Sequence, residues 1–299
     1  MCPNIIHSEN TASRIKRIIF DDGRSFIVKF CNKNDCEFSK YQQGFLLEYQ
    51  YMSPLDHCGI PEYFYLRTIN PDGSLCCAAQ KEFSLPDSFM PDAAFIVMED
   101  CAPDSSCKTL YSFLSDCDKG TSSPDSRLSN SVIRRIINKL YPILDYLKEH
   151  GILYMDLNPD NIIIDRHMNL KLIDFTFCKY IDAEAVPDSQ LYYVPKCCGN
   201  VTRTYYNHYC SDLNEVKADE LLTAVFAEFY SHLFFKNRFD YLKHYRLTDM
   251  QDFLMNCGYV NKRLFTNILS HCCPPIDRNY RLEPLPSWLN LLDSYLAKQ

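Results

Sequence analysis

Long apolar runs, zinc-type cysteine spacing and an excess of positive charge are all missing from this 299-residue sequence. No apolar stretch approaches the roughly 20 residues that a helix needs to cross a bilayer, so no membrane span is expected. The amino terminus, Met-Cys-Pro-Asn-Ile-Ile-His-Ser, has neither the basic nor the apolar region of a signal peptide, which predicts a soluble, cytoplasmic protein. Sixteen cysteines are scattered through the chain without a single Cys-x-x-Cys. The adjacent pairs Cys76-Cys77, Cys197-Cys198 and Cys272-Cys273 do not make a zinc pattern, and His271 is too near in sequence to complete one, so free thiols are expected. Without secretion the acceptor sequence Asn200-Val201-Thr202 carries no weight.

Lys and Arg number 31 against 38 Asp and Glu, a net charge of −7, which argues against a nucleic-acid binder that works by neutralising phosphates. Tryptophan occurs once, yet 46% of residues are hydrophobic and 14% aromatic, so disorder of the whole chain is excluded. The length suits one large domain or two lobes around a cleft. No internal repeat and no low-complexity segment stands out.

What is present centres on residues 151–180. Two apolar runs, Ile162 to Ile164 and Leu170 to Ile173, flank a turn at Asp165 to Asn169 and read as a short buried hairpin. Asp156 and Asn161 precede the first strand and Asp174 follows the second, so the hairpin brings all three to one end. Asp and Asn at strand ends most often form turns and caps. Together, however, they offer oxygen ligands for Mg²⁺ and a carboxylate able to orient a hydroxyl. The interval from Asp156 through Asn161 to Asp174-Phe175-Thr176 resembles the catalytic loop and metal-binding Asp-Phe-Gly of the protein-kinase superfamily.

Other segments extend the resemblance from about residue 5 to the end of the chain. Residues 15–30 read as two strands around the turn Asp22-Gly23, with Lys29 near the end of the second. Glu48 lies 19 positions on, in a stretch where Phe45, Tyr49 and Met52 recur at helical spacing. This interval is similar to the kinase lysine that holds the α- and β-phosphates and the helix glutamate that holds the lysine. Residues 60–83 read as strands with a turn at Asn70-Pro71-Asp72-Gly73, and 93–101 as an apolar strand running into acidic residues. By the resemblance that strand leads to the hinge, with Met98 as gatekeeper and the backbone of Glu99 and Cys101 on the adenine. Residues 116–131 read as a surface loop. The helix that follows carries Val132, Ile133, Ile136, Ile137, Leu140, Ile143, Leu144 and Leu147 on one face, with Ser129 or Ser131 as cap, a kink expected at Pro142 and an end at Gly151. A further apolar-faced helix is expected at residues 217–229, capped by Asp219, and a last one near 286–296.

The resemblance implies an α+β bilobal fold, with a small antiparallel β-sheet lobe carrying one helix at residues 1–101 and a larger, mainly α-helical lobe at residues 102–299. It implies ATP-dependent phosphoryl transfer to a protein hydroxyl, Ser or Thr ahead of Tyr. Asp156 orients the acceptor, Lys29 and Glu48 place the phosphates, and Asn161 and Asp174 hold Mg²⁺, with Mn²⁺ as an alternative ion. Asn158 joins the catalytic group. Ser8, Asn10, Ser13, Ile15, Ile27, Met98, Glu99, Cys101 and Ile163 line the nucleotide site. The implied partners are a nucleotide and a protein substrate, with no nucleic acid; the oligomeric state stays open.

Departures from the family pattern are as informative. Ser8, Asn10 and Ser13 stand where three glycines are expected, and Glu9 would face a polyanion, which predicts weak nucleotide binding. Ile27 replaces the usual alanine above adenine. Tyr154-Met155 replace His-Arg, so activation by loop phosphorylation is not expected. Asn158 replaces the lysine typical of serine/threonine kinases, which leaves Ser/Thr against Tyr open. Thr176 replaces glycine and should favour one setting of Asp174. The Ala-Pro-Glu motif is missing, leaving Arg278 to pair with Asp212 or Glu215. With these departures the resemblance implies an atypical, constitutively assembled protein kinase, similar to the lean kinases that viral or bacterial pathogens place in a host cytosol. Two other readings stand beside it: a small-molecule or sugar kinase, since Asp-Leu-Asn-Pro-Asp-Asn also resembles aminoglycoside, choline and lipopolysaccharide kinases, and a catalytically dead pseudokinase scaffold.

Overall fold

A computed structural model describes residues 5–79, 83–86, 88–119, 130–176 and 178–180. The expectations placed on Asp212, Glu215, Asp219, Arg278, the helices at 217–229 and 286–296, and the adjacent cysteines beyond residue 180 lie outside these residues. The described chain is of the α+β class, and it divides into two compact units, Met1–Lys108 with Lys171–Thr176, and Thr109–Leu170 with the chain from Phe177 onward.

The first unit is built on a six-stranded sheet in the order β1-β2-β3-β6-β4-β5. Its strands are β1 (Ile5–Ala12), β2 (Ile15–Phe20), β3 (Ser25–Asn32), β4 (Tyr63–Ile69), β5 (Leu75–Ala79) and β6 (Ala93–Glu99), and each pairs with its neighbours antiparallel. The turns fall where the sequence marks them: Gly23 at φ 85° and Gly73 at φ 84° take left-handed conformations that cost glycine little. One helix, α1 (Phe38–Met52), buries Phe45, Glu48, Tyr49 and Met52, the residues at helical spacing. Gln42 fastens it to β4 by a two-way bond, donating to Ile69 O at 3.0 Å and accepting from Ile69 N–H at 2.7 Å.

Strand alternation separates the two faces of the sheet. Ile18, Phe20, Phe26, Val28, Phe30, Phe95 and Val97 form one apolar cluster, against which Phe64, Phe83, Phe89 and Met90 pack. Edge-on ring pairs tie it together, among them Phe26 with Phe64 and Phe83 at 5.1 Å each. Arg67 holds the covering segment down: its guanidinium lies 4.2 Å from the Phe95 ring centre and donates to Phe89 O and Met90 O. The alternate residues Ile27 and Lys29 therefore stand on the other face, with Ile15 and Met98 directly opposite them in register.

The second unit contributes β7 (Lys108–Thr109) in part, α2 (Leu110–Lys119), α3 (Asn130–Glu149), β8 (Ile152–Leu153), a short 3-10 turn at Pro159–Asn161 and β9 (Ile162–Ile164); β10 (Leu170–Leu172) straddles the division, and β11 (Lys179–Tyr180) pairs with β8. Residues 116–119 belong to α2, where the sequence suggested the start of a surface loop; the apolar positions Leu110 and Leu114, one turn apart and buried, carry the helix into the polar stretch. Helix α3 buries Ile136, Ile137, Leu140, Ile143, Leu144 and Leu147 as its periodicity requires, and Gly151 at φ 73° ends it. The hairpin turn is closed by Asp165, whose N–H donates to Asn169 O at 3.1 Å and whose carboxylate accepts from the N–H groups of His167 and Asn169. Among the described residues no helix is long and apolar enough to cross a membrane.

Candidate functional site

In the first unit Lys29 is the centre of the arrangement. It is 7% exposed, and its Nζ donates to Glu48 Oε1 at 2.9 Å, to Asp174 Oδ1 at 2.9 Å and to Thr176 Oγ1 at 3.1 Å. Burial pulls its ammonium toward deprotonation, but the carboxylates of Asp174 and Glu48 outweigh that and hold the proton more firmly than usual. Burial also raises Asp174, yet the Lys29 charge and the bonds from Thr176 and Lys29 bring its carboxyl down to about 2. Both groups are thus charged at neutral pH.

Tyr63, which carries no signal in the sequence, and Thr176, read there only for its backbone, complete this network. Tyr63 of β4, 1% exposed, donates its hydroxyl to Glu48 Oε1 at 2.8 Å. Thr176 donates its own hydroxyl to Asp174 Oδ1 at 2.6 Å, a length typical of a charge-assisted bond, while its N–H reaches the same oxygen at 3.4 Å. Asp174 itself sits at φ 61°, a left-handed conformation that aspartate tolerates better than most residues.

The segment after β6 is braced from both sides. Glu99 N–H donates to Glu62 O at 2.8 Å, its carbonyl accepts from Cys101 Sγ at 3.9 Å, and its carboxylate receives Lys171 Nζ and Glu62 N–H. Asp100, 6% exposed, accepts from Ser25 Oγ at 2.7 Å and Ala102 N–H at 3.1 Å, and Arg17 Nε stands 2.7 Å from its Oδ2. Arg17 also donates to Ala102 O at 2.8 Å. Arg17, Ser25 and Asp100 were not legible as a group because nothing local links β2, β3 and the end of β6. Cys101 lies half-buried there, its thiol pushed up by burial and then by the Glu99 charge.

The segment expected to form a phosphate-covering loop is mostly strand. Ser8 and Asn10 lie exposed within β1, opposite Ile18 and Lys16, and only Ser13, with Arg14, occupies the turn before Ile15. Without glycine, and with Ile5, Ile6 and Thr11 favouring extended backbone, pairing runs on to Ala12 opposite Ile15. The turn is held at its tip: Arg14 lies 3.9 Å over the Tyr41 ring and 3.6 Å from Asp35, and its carbonyl accepts from Phe30 N–H at 3.0 Å. Glu9 is met by Arg17 at 3.3 Å, which offsets the negative charge that the sequence places near a polyanion.

In the second unit the loop before β9 is organised by its own amides. Asn161 Nδ2 donates to Asp156 Oδ2 at 2.8 Å and to Asp156 O at 3.0 Å, bonds in which its carbonyl oxygen takes no part. Asp156 is 7% exposed. Asn158 caps the 3-10 turn, accepting from Asp160 N–H at 3.0 Å and Asn161 N–H at 3.2 Å and donating to Asp156 O at 3.1 Å. Both polar groups of its side chain are therefore engaged within the loop. Ile163, Tyr154 and Met155 are buried apolar or aromatic positions around it.

Each unit holds an oxygen of the kind that a hard cation takes. Asp174 is ionised with Oδ2 taking no hydrogen bond among the described residues, and Asn161 presents an amide oxygen. No group of three or more His, Cys, Asp or Glu side chains among the described residues could hold a metal by itself. Mg²⁺ is commonly held by one or two protein oxygens and completed by phosphates and water.

Comparison with known proteins points the same way. The family model for the protein kinase domain matches residues 11–206, about two thirds of the chain. A probable serine/threonine-protein kinase of Dictyostelium discoideum is 37% identical over 65 residues, which is 22% of this chain and 14% of that protein. The maternal embryonic leucine zipper kinase of Xenopus laevis is 35% identical over 75 residues, 25% of this chain and 11% of that protein. A serine/threonine-protein kinase of Arabidopsis thaliana is 45% identical over 51 residues, 17% of this chain and 12% of that protein. The matched stretches thus span a small fraction of each relative's length.

Proposed function

Because the chain belongs to the protein kinase domain family, we propose that it transfers the γ-phosphoryl group of ATP to a hydroxyl of a protein, on Ser or Thr ahead of Tyr. The observation that carries the reading is the buried Lys29, which pairs with Glu48 and Asp174 at once and is kept charged by both. Such a group places phosphates and neutralises charge, which is most of what phosphoryl transfer asks of a protein. The serine/threonine preference follows the names of the relatives.

Each residue then has a role. Lys29, braced by Glu48, binds the nucleotide phosphates. Asp174 and Asn161 supply oxygens for Mg²⁺, which when bound draws charge off the phosphates. Asp156, oriented by its bond from Asn161, aligns the acceptor hydroxyl and takes up its proton as the bond to phosphorus forms. Asn158 holds the backbone of that loop. Ile15, Ile27 and Met98 give adenine an apolar lining, and the Glu99 carbonyl with the Cys101 backbone gives it polar partners. The free thiols at Cys31, Cys36, Cys58, Cys76, Cys77, Cys101, Cys107 and Cys178 suit a reducing, cytosolic setting.

Incubation with γ-labelled ATP and a cytosolic lysate tests the proposal, comparing the wild type with Asp156→Ala. Label in protein that depends on Asp156 is the expected result. Label confined to small molecules would establish the sugar-kinase reading instead, and no label in either fraction would leave a pseudokinase.

A further inference from the structure

We propose that the Thr176 hydroxyl is a stand-in for a nucleotide phosphate on Lys29, a built-in competitor that the nucleotide must displace; this rests on the phosphotransfer reading above. A protonated lysine has three N–H donors. Lys29 has three acceptors within 3.1 Å: Glu48 Oε1, Asp174 Oδ1 and Thr176 Oγ1. The ammonium is therefore saturated, and a phosphate oxygen gains a donor only if one of the three lets go.

The three are not equal. Glu48 and Asp174 are carboxylates, and bonds between ions are roughly twice as strong as those with a neutral partner. Thr176 is the neutral one and its bond is the longest of the three. Its proton points at Asp174 Oδ1, 2.6 Å away, so Oγ1 meets Lys29 as a pure acceptor, which is the role a phosphate oxygen would take. Thr176 is also the exposed member of the set, whereas Lys29 and Glu48 are buried, so its side chain can turn away without opening the interior. Its backbone is not among the positive-φ positions, so a β-branched residue stands there without strain and valine can replace it in shape.

The consequence is directional. In the wild type an arriving phosphate breaks the Lys29–Thr176 bond; in Thr176→Val that bond is already gone and the third donor is open. A hydrogen bond of this kind contributes about 0.5–1.5 kcal/mol net, which corresponds to roughly a 2- to 10-fold change in affinity. A role confined to stiffening the turn predicts the opposite sign, since loosening the site would weaken binding.

The test titrates the full chain with a fluorescent, non-hydrolysable ATP analogue, first without divalent metal and then with Mg²⁺. Thr176→Val is expected to bind about 3- to 10-fold more tightly than wild type in both series, and Thr176→Ser, which keeps the hydroxyl, to stay within about twofold of it. Equal or weaker binding by Thr176→Val overturns the proposal, as does a serine variant that behaves like valine. If the three bind alike while Lys29→Met loses binding, the phosphotransfer reading survives and only the stand-in role fails. If none of them binds the analogue, both fall.

Discussion

Tyr63 and Lys29 share one oxygen: Glu48 Oε1 accepts from the Tyr63 hydroxyl at 2.8 Å and from Lys29 Nζ at 2.9 Å. The glutamate that steadies the lysine is thus itself steadied from β4. Tyr63→Phe should lower stability by about 1.5–3 kcal/mol, the range for a hydrogen bond to a charged group, and should raise the ATP concentration needed for half-maximal activity. Urea denaturation and ATP titration measure the two effects. A variant as stable as wild type would show that the bond contributes nothing.

Binding of a metal–nucleotide complex should be visible as heat resistance. At a nucleotide concentration 100 times the dissociation constant the gain is about 2.7 kcal/mol. ATP with Mg²⁺ should raise the melting temperature of the wild type, and Asp174→Ala should abolish the gain. No shift at millimolar nucleotide would count against phosphoryl transfer by this chain.

Asp100 is the buried carboxylate on which Arg17, Ser25 and Ala102 N–H converge. Its removal leaves the part-buried Arg17 guanidinium with only the exposed Glu9 as counter-ion. Asp100→Ala should therefore cost about 3 kcal/mol of stability, as loss of one partner from a buried ion pair does. Exposed pairs such as Lys40–Glu37 should cost less than about 1 kcal/mol when broken. Chemical denaturation of the two variants side by side decides whether the contrast holds.

Thiol reactivity should follow burial. Burial, then the Asp35 charge, pushes the Cys31 thiol up to about 12, and burial with the Glu99 charge raises Cys101. Because the thiolate is the reactive form, iodoacetamide at pH 8 should label the exposed Cys36, Cys58, Cys76 and Cys77 and spare Cys31 and Cys101 until the chain unfolds. The sign for stability follows: a thiol pKa raised by folding favours the folded state below pH 9, and that contribution fades as the pH climbs toward 12. Peptide mapping by mass spectrometry reads the labelling; rapid modification of Cys31 in the folded protein would contradict its burial.

Much of the fold around the candidate site was readable along the chain because its signals are local. The hairpin around Asp165, the turns at Gly23 and Gly73, the helical spacing of Phe45, Tyr49 and Met52 and the long face of α3 all follow from periodicity and turn chemistry. Where local rules pointed two ways the outcome was mixed. The glycine-free stretch that carries Ser8 and Asn10 formed a strand, since nothing in it relaxes the backbone, and the polar end of α2 stayed helical on the strength of two apolar positions. Arg67 carries no signal in the sequence, yet it is buried and holds residues 89 and 90 onto the sheet.

The sequence by itself determined the family and the order of the parts: Lys29, Glu48, Asp156, Asn161 and Asp174 are recognisable because their spacing along the chain is characteristic. Only the tertiary structure decided which side chains meet. Thr176 reaches Lys29 across 147 positions, Arg17 reaches Asp100 across 83, and Tyr63 reaches Glu48 across 15 with the end of α1 and a loop in between. No periodicity encodes such meetings. They arise when strand register and helix packing bring distant donors and acceptors within 3 Å or so of one another, and burial then obliges each polar atom to find a partner.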